Sequence, residues 1–90
     1  MAYTKEQLVN ALQNAVGDSA YGKSLIEKAE ATYGQSGKYA QDMQDRLDET
    51  IGVLKAYERI HRGAGEDAKA TAEADKLAIA EKALNAVKSL

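Results

Sequence analysis

Residues 38–62, KYAQDMQDRLDETIGVLKAYERIHR, contain the longest regular hydrophobic pattern of the chain and decide its predicted fold. Large side chains recur in this stretch every three or four residues, which is the spacing of one face of an α-helix. The members of this seam are Tyr39 or Ala40, Met43, Leu47, Thr50 or Ile51, Leu54, Tyr57 and His61. A heptad-like seam of this kind packs helices side by side at a shallow angle. The stretch therefore predicts one long helix.

The predicted partner of this helix follows a glycine-rich break. The sequence 63–65, Gly-Ala-Gly, interrupts the helical pattern, and Glu66 and Asp67 then stand where the cap of a new helix belongs. The apolar stripe of the new helix comprises Leu77, Ala80, Leu84 and Val87, with Leu90 near by. Because the connection is short, we expect the helices at about 38–62 and 67–89 to form a long antiparallel hairpin.

A shorter helix is predicted near the start of the sequence. Thr4 and Gln7 fit the capping box, in which each side chain accepts a hydrogen bond from the other residue's backbone, so a helix over about 5–16 is expected. Its apolar face comprises Leu8, Val9, Leu12, Ala15 and Val16. Gly17 fits the left-handed position that ends many helices.

A second short helix is predicted directly after it. Asp18 or Ser19 can cap this helix, which spans about 19–33 and ends before the turn at 34–37. Its apolar stripe comprises Leu25, Ile26, Ala29 and Tyr33. The whole pattern predicts an all-α fold, a small helical bundle in one domain over 1–90, with the two short helices laid along the hairpin.

The composition supports a helical chain with a thin core. The sequence has 90 residues, with 17 alanines and no proline, and these properties favour helices. Leucine, isoleucine and valine together number only 16, and there is no phenylalanine or tryptophan. A domain of this size with so few large apolar side chains often gains stability by association, so we expect a homo-oligomer.

Charge and residue usage argue against several classes of protein. The net charge is −2 with acids and bases interspersed, which is unlike the basic face that nucleic-acid binding requires. The absence of cysteine excludes a disulfide, a thiolate metal site and a cysteine nucleophile. The sequence has neither a secretory h-region nor a long apolar run, so we expect no membrane association and a cytoplasmic location.

Residues 17–24, GDSAYGKS, match the pattern of a phosphate-binding loop, G-x-x-x-x-G-K-S. A working loop of this type joins a buried strand to a helix, whereas the preceding residues NALQNAV are amphipathic and helical. We therefore interpret the string as a helix break and restart, with Gly22 placed inside the next turn for close helix packing.

The pair Glu58 and His61 has the Glu-x-x-His spacing that binds iron in ferritin-like bundles. Further ligands would have to come from Glu30 or from an acidic face. This face consists of Asp42, Asp45, Asp48 and Glu49. In an antiparallel layout Glu30 lies most of a helix away from Glu58, so we expect no metal and no cofactor, and an ordinary seam histidine instead.

The basic tip of the hairpin at 59–65 is the strongest candidate for a small-ligand site. Free N–H groups in a glycine-rich bend, beside arginine and a titratable histidine, can hold a phosphate or a nucleotide. The candidate residues are Arg59, His61, Arg62, Gly63 and Gly65. The alternative is a Schellman-type helix stop with basic residues in the last turn.

Tyrosine is the sole aromatic residue type of the chain. The five tyrosines are Tyr3, Tyr21, Tyr33, Tyr39 and Tyr57. Tyrosine without phenylalanine suggests half-wet positions, which occur both at protein interfaces and at bundle edges. We take Tyr21 and Tyr57 as candidate partner-binding residues, and we expect Tyr33 and Tyr39 to flank and staple the 34–37 turn.

These features together favour a non-enzymatic interaction protein that binds a macromolecular partner. The chain has one histidine, no nucleophile elbow and no predicted sheet to hold a catalytic triad. Its small size and lack of cysteine are typical of a phage or mobile-element inhibitor or assembly factor. The alternative function is binding of a phosphate-bearing ligand at the 59–65 tip.

Overall fold

The computed structural model describes residues 3–34 and 43–90 of the chain. Within these two ranges the chain forms four α-helices and no strand, so the predicted all-α bundle is confirmed. The helices are α1 (Lys5–Val16), α2 (Ala20–Thr32), α3 (Met43–Gly63) and α4 (Asp67–Lys88). The predicted start of the third helix near residue 38, and Tyr39 with it, lie outside the described residues.

A Schellman motif reverses the chain between α3 and α4 and confirms the predicted hairpin. Gly65 has φ +76°, its N–H donates to the Arg62 carbonyl over 3.2 Å, and the Glu66 N–H donates to the His61 carbonyl over 2.8 Å. This pair of bonds satisfies carbonyls at the end of α3 that would otherwise lack partners. Glu66 occupies the N-cap position of α4, but its side chain makes no capping hydrogen bond, contrary to our expectation.

The capping box at the start of α1 forms as predicted. The Gln7 N–H donates to the Thr4 hydroxyl over 3.1 Å, and the Thr4 N–H donates to the Gln7 side-chain oxygen over 2.8 Å. At the start of α2 the cap is Ser19, whose hydroxyl accepts from the Gly22 N–H over 2.9 Å. Of the two caps considered for this helix, the structure therefore selects Ser19 and leaves Asp18 exposed.

The prediction of a left-handed Gly17 is wrong. Gly17 has φ −69° and ψ −9°, and its N–H donates to the Gln13 carbonyl as one more helical step. The chain passes into α2 directly, because Ser19 both donates its N–H to the Val16 carbonyl over 3.4 Å and caps the next helix. A left-handed residue is not needed to end α1, because the N-cap of α2, Ser19, lies only three residues after the last residue of α1.

Gly22 permits the close approach of α1 and α2. A Cβ atom at this position would overlap the Val16 carbonyl oxygen, because it would lie far inside the van der Waals contact distance of carbon and oxygen. The predicted role of Gly22 in close helix packing is therefore confirmed.

The hydrophobic core lies at one end of the hairpin. There α1 packs on α2 and α4, α2 packs on α4, and α3 packs mainly on α4. The core comprises Leu8, Leu12, Val16, Leu25, Ile26, Ala29, Met43, Leu47, Ile51, Leu54, Ala80, Ala83, Leu84 and Val87. Tyr33 reaches from the end of α2 back to the N-terminus, where its hydroxyl donates to the Tyr3 carbonyl over 2.7 Å.

Towards its tip the hairpin is only two helices thick. The predicted seam of α3 is buried as far as Leu54, whereas Tyr57 is half exposed and His61 is half-buried. On α4 the small residue Ala70 is fully buried in this part. Two helices alone bury a small side chain between them, but they leave a large ring open to solvent, since no third helix covers it.

We predict that Gly22→Ala lowers the free energy of unfolding by about 1–3 kcal/mol, because the Val16 carbonyl must move to admit the methyl group. The matched control is Gly52→Ala, since no atom lies within 4 Å of a Cβ at that helical position. There alanine is expected to stabilise the fold by about 1 kcal/mol through helix propensity. Urea unfolding at low micromolar concentration measures both effects, and equal stability of the two variants would contradict the packing role.

Candidate functional site

Three large apolar side chains are exposed along one side of α3, next to its buried seam. Val53, Tyr57 and Ile60 are spaced by four and three residues and are 52%, 50% and 61% exposed. Gly52 and Ala56 are also exposed and lie beside them on the helix surface. We call these five residues the outer face of α3. Three large exposed apolar side chains in one stripe mark an interaction surface more strongly than scattered ones would.

Gly52 lies near the middle of α3 without a packing reason within the chain. A Cβ atom added to it would meet nothing within 4 Å, and its backbone is not in the left-handed region. Glycine in a helix interior costs about 1 kcal/mol relative to alanine. The outer face therefore contains a locally unfavourable residue that leaves a gap between larger side chains.

A groove of about 410 Å³ adjoins the outer face and contains both tyrosines predicted as partner-binding residues. Its walls come from three helices, with Tyr21 on α2, Tyr57 on α3 and Glu73 on α4. The full lining is Tyr21, Glu49, Thr50, Val53, Leu54, Tyr57 and Glu73. Because Val53 and Tyr57 belong to both surfaces, the groove and the outer face form one continuous area.

Tyr21 is the half-buried tyrosine of this groove. Burial raises the pKa of its hydroxyl above the ordinary value of 10.0, and the nearby Glu73 carboxylate raises the same pKa further. The Lys76 ammonium lies 5.9 Å from the centre of the Tyr21 ring, within the range of a cation–π contact. These contacts fix a neutral, half-buried ring at the edge of the bundle.

The structure divides the predicted tip site into two parts. His61 faces Glu66, with 3.3 Å between Nδ1 and Oε1, and its ring stacks on Tyr57 at 6.3 Å between centroids. Arg59, Arg62 and Gly63 line a separate groove of about 550 Å³ together with Lys55 and Glu58. His61 is not part of that groove, so the histidine and the arginines do not converge on one ligand position.

The backbone of the bend is occupied by the helix stop. Ala64, Gly65 and Glu66 all donate their N–H groups to carbonyls of α3. Their amides therefore do not point together at an anion as the predicted nest would require. An anion at the tip would have to bind through side chains alone.

The Glu66 carboxylate holds the start of α4 through ionic contacts. It accepts from the Lys69 ammonium at 2.7 Å and lies against His61. The hydrogen bonds from Lys69 and His61 lower the pKa of Glu66, and Glu66 in turn raises the pKa of Lys69. All of these groups are partly or largely exposed, so the contacts orient the side chains more than they stabilise the fold.

The string at 17–24 forms the corner between α1 and α2. Helix α1 precedes it, Gly22 is buried inside α2 and Lys23 is exposed, so the interpretation as a helix break and restart agrees with the structure. The residues considered as metal ligands do not converge either. Within 3–34 and 43–90 there is no cluster of three or more histidine or acidic residues that could hold a metal ion. Asp42, one of those considered, lies outside the described residues.

Comparison with known proteins adds no assignment to these surfaces. We found no protein-family model, curated protein or solved structure that matches the chain. Among the helices of the described ranges, none has the length and apolar character needed to cross a membrane.

The sequence led to Tyr21 and Tyr57 as candidate binding residues, but it did not lead to Val53 and Ile60 of the outer face. Val53, Tyr57 and Ile60 follow the same three- and four-residue spacing as the seam, on the side of the helix next to it. This second stripe was visible in the sequence. What the sequence did not show is that the neighbouring helices leave it uncovered.

We predict that the wild-type protein loses more stability than a Tyr21→Phe variant when the pH rises above about 10. The folded state holds the phenolic proton more tightly than the unfolded state, so this stabilisation is complete below the ordinary pKa and is lost above it. Urea unfolding over a pH series measures the difference between the two proteins.

The Glu73→Gln variant is the control for the cause of this effect. It should keep most of the pH dependence, because burial is the larger cause and the carboxylate the smaller. Identical pH profiles for the wild type and Tyr21→Phe would show that Tyr21 is not perturbed.

Proposed function

We propose that the chain is a non-enzymatic, cytoplasmic interaction protein that binds a protein partner, and copies of itself, through the outer face of α3. The observation that carries this proposal is the row of Val53, Tyr57 and Ile60, each at least half exposed on one helix face. A helical partner of complementary shape would remove these side chains from water. Small size and lack of cysteine suit a phage or mobile-element inhibitor or assembly factor.

The free energy available from burying apolar side chains favours binding at this face over the remaining described surface. Full burial of a large apolar side chain contributes about 1.5–3 kcal/mol, and about half of that remains to be gained by each half-exposed residue. Tyrosine is among the residues most often found at the energetic centre of an interface. The Tyr21 side of the groove extends the same area onto α2, so a partner can contact two helices at once.

We predict that a benzophenone amino acid at position 56 cross-links to a specific protein in an extract of cells that naturally contain the chain. Ala56 is exposed at the centre of the outer face, so the probe would point into the bound partner. The matched control carries the probe at Lys82, which is exposed on α4. Mass spectrometry of the products reads out the result. Equal labelling from both positions, or none from position 56, would refute the proposal.

A second candidate function is binding of a phosphate-bearing ligand in the groove beside the tip. Lys55, Arg59 and Arg62 place three cationic side chains around this groove, against the single carboxylate of Glu58. Glu58 lies 4.0 Å from Arg62 in a partly exposed pair, which is a weak competitor for an incoming phosphate. Arginine is well suited to bidentate binding of phosphate oxygens.

A thermal-shift series with nucleotides and inorganic phosphate tests this second function. A ligand present at about 100 times its Kd should add about 2.7 kcal/mol to the stability of the fold. We expect the shift to vanish in Arg59→Gln with Arg62→Gln and to persist in His61→Gln, because His61 lies outside the groove. No shift at millimolar ligand would rule this function out.

A further inference from the structure

We infer that the outer face of α3 pairs with the same face of a second copy, with the two α3 helices antiparallel about a two-fold axis near Ala56. This inference rests on the proposed function, since it names the partner of the same surface. A two-fold interface must be complementary to itself: if residue i of one copy contacts residue j of the other, then residue j of the first contacts residue i of the second. The outer face meets this condition in both shape and charge.

The shape of the outer face is self-complementary when the second helix is reversed. Gly52, Ala56 and Ile60 are spaced by four residues each and lie along one line of the helix surface. Reversal about Ala56 sets Ile60 of one copy over Gly52 of the other, and two Ala56 residues meet at the centre. The most exposed large side chain, Ile60, thus meets the position where no side chain occupies space.

This arrangement accounts for the glycine. Nothing in the chain itself approaches Gly52, so the helical cost of glycine brings no benefit to the single copy. In the pair, Gly52 lies four residues before the central Ala56 and Ile60 lies four residues after it. The gap at Gly52 of one copy therefore receives Ile60 of the other, and the two backbones can approach closely. The same gap occurs twice in the pair because of the two-fold symmetry.

Helix α3 is acidic in its first part and basic in its last part, which is the distribution that favours an antiparallel pair. The first part, residues 43–51, contains Asp45, Asp48 and Glu49 against one arginine, whereas the last part, residues 53–63, contains Lys55, Arg59 and Arg62 against one glutamate. An antiparallel partner sets the acidic part of one copy against the basic part of the other. A parallel partner would set acid against acid and base against base.

Several of the charged side chains of α3 have no ion-pair partner within the described residues. Asp45, Asp48, Lys55 and Arg59 form no ion pair in the described residues, and Arg62 has only Glu58 at 4.0 Å. With reversal about Ala56, Arg62 of the second copy lies opposite residue 50 of the first. Asp48 is two residues from that position, which is about 3 Å along the helix axis at a rise of about 1.5 Å per residue. Pairs of this kind set register and orientation more than affinity.

The interface is small, so the pair should be weak. Stable interfaces commonly bury about 800 Å² per partner, and one face of a helix of about 32 Å offers less than that. Sedimentation equilibrium from micromolar to millimolar concentration is therefore the appropriate measurement. We expect the wild-type chain to pass from monomer to dimer in this range.

The first test fills the gap. Gly52→Leu places a side chain in open space, so the single copy stays folded and gains helix propensity, while Ile60 of a second copy loses its position. We expect the dimer dissociation constant to rise about tenfold or more, with no loss of helical stability at dilute concentration. Gly52→Ala, which keeps the position small, should retain most of the association. Association of Gly52→Leu as strong as that of the wild type would overturn the proposal.

The second test reverses the charges. Asp45→Lys with Asp48→Lys makes α3 basic along its length, and Arg59→Glu with Arg62→Glu makes it acidic. Each variant alone should associate more weakly than the wild type, by about tenfold or more. An equal mixture of the two should form a heterodimer, and a chain with all four changes should again pair with itself. Preferential pairing of the fourfold variant with the wild type would show a parallel arrangement and overturn the proposal.

The outcomes separate this inference from the proposed function. A wild-type chain that stays monomeric to millimolar concentration overturns the antiparallel pair. If position 56 still cross-links to a different protein, the outer face remains an interaction surface and only its occupant is another chain. If neither association nor cross-linking is found, both proposals fail. Circular dichroism on each variant shows that lost association does not come from unfolding.

Discussion

The close packing of α3 on α4 is the contact on which the rest of the structure depends. The Schellman stop at Gly65 returns the chain, and α4 then packs on α3 with the small residues Ala70, Ala80 and Ala83 on its buried face. Small side chains let the helix backbones approach closely, and they supply little apolar area of their own. The larger residues at the open end of the hairpin, with α1 and α2, must therefore supply most of the core.

This division of the core also explains why α3 has an uncovered side. Both short helices pack on α4, and α3 touches little besides α4. At the open end the seam residues of α3 still reach the common core, but the side of the helix next to the seam faces solvent. Val53, Tyr57 and Ile60 lie on that side, so their exposure is a consequence of where the short helices dock.

The candidate site was only partly predictable, for identifiable reasons. Tyr21 and Tyr57 were selected because tyrosine alone supplies the aromatic content, and both line one groove in the structure. Arg59 and His61 were grouped because they are only two positions apart in sequence, but a helix turns by about 100° per residue, so they point to different surroundings. The bend amides could not be assigned from sequence, because a glycine-rich bend suits an anion nest and a helix stop equally well.

The sequence by itself determined the four helices and those of their limits that lie within the described residues. Local rules suffice here, since the capping box at Thr4, the cap at Ser19 and the left-handed Gly65 each act within a few residues. Only the tertiary structure decided which apolar stripe is buried. Both stripes of α3 have helical spacing, and their fate depends on where α1 and α2 pack, which is set by contacts between residues far apart in the chain.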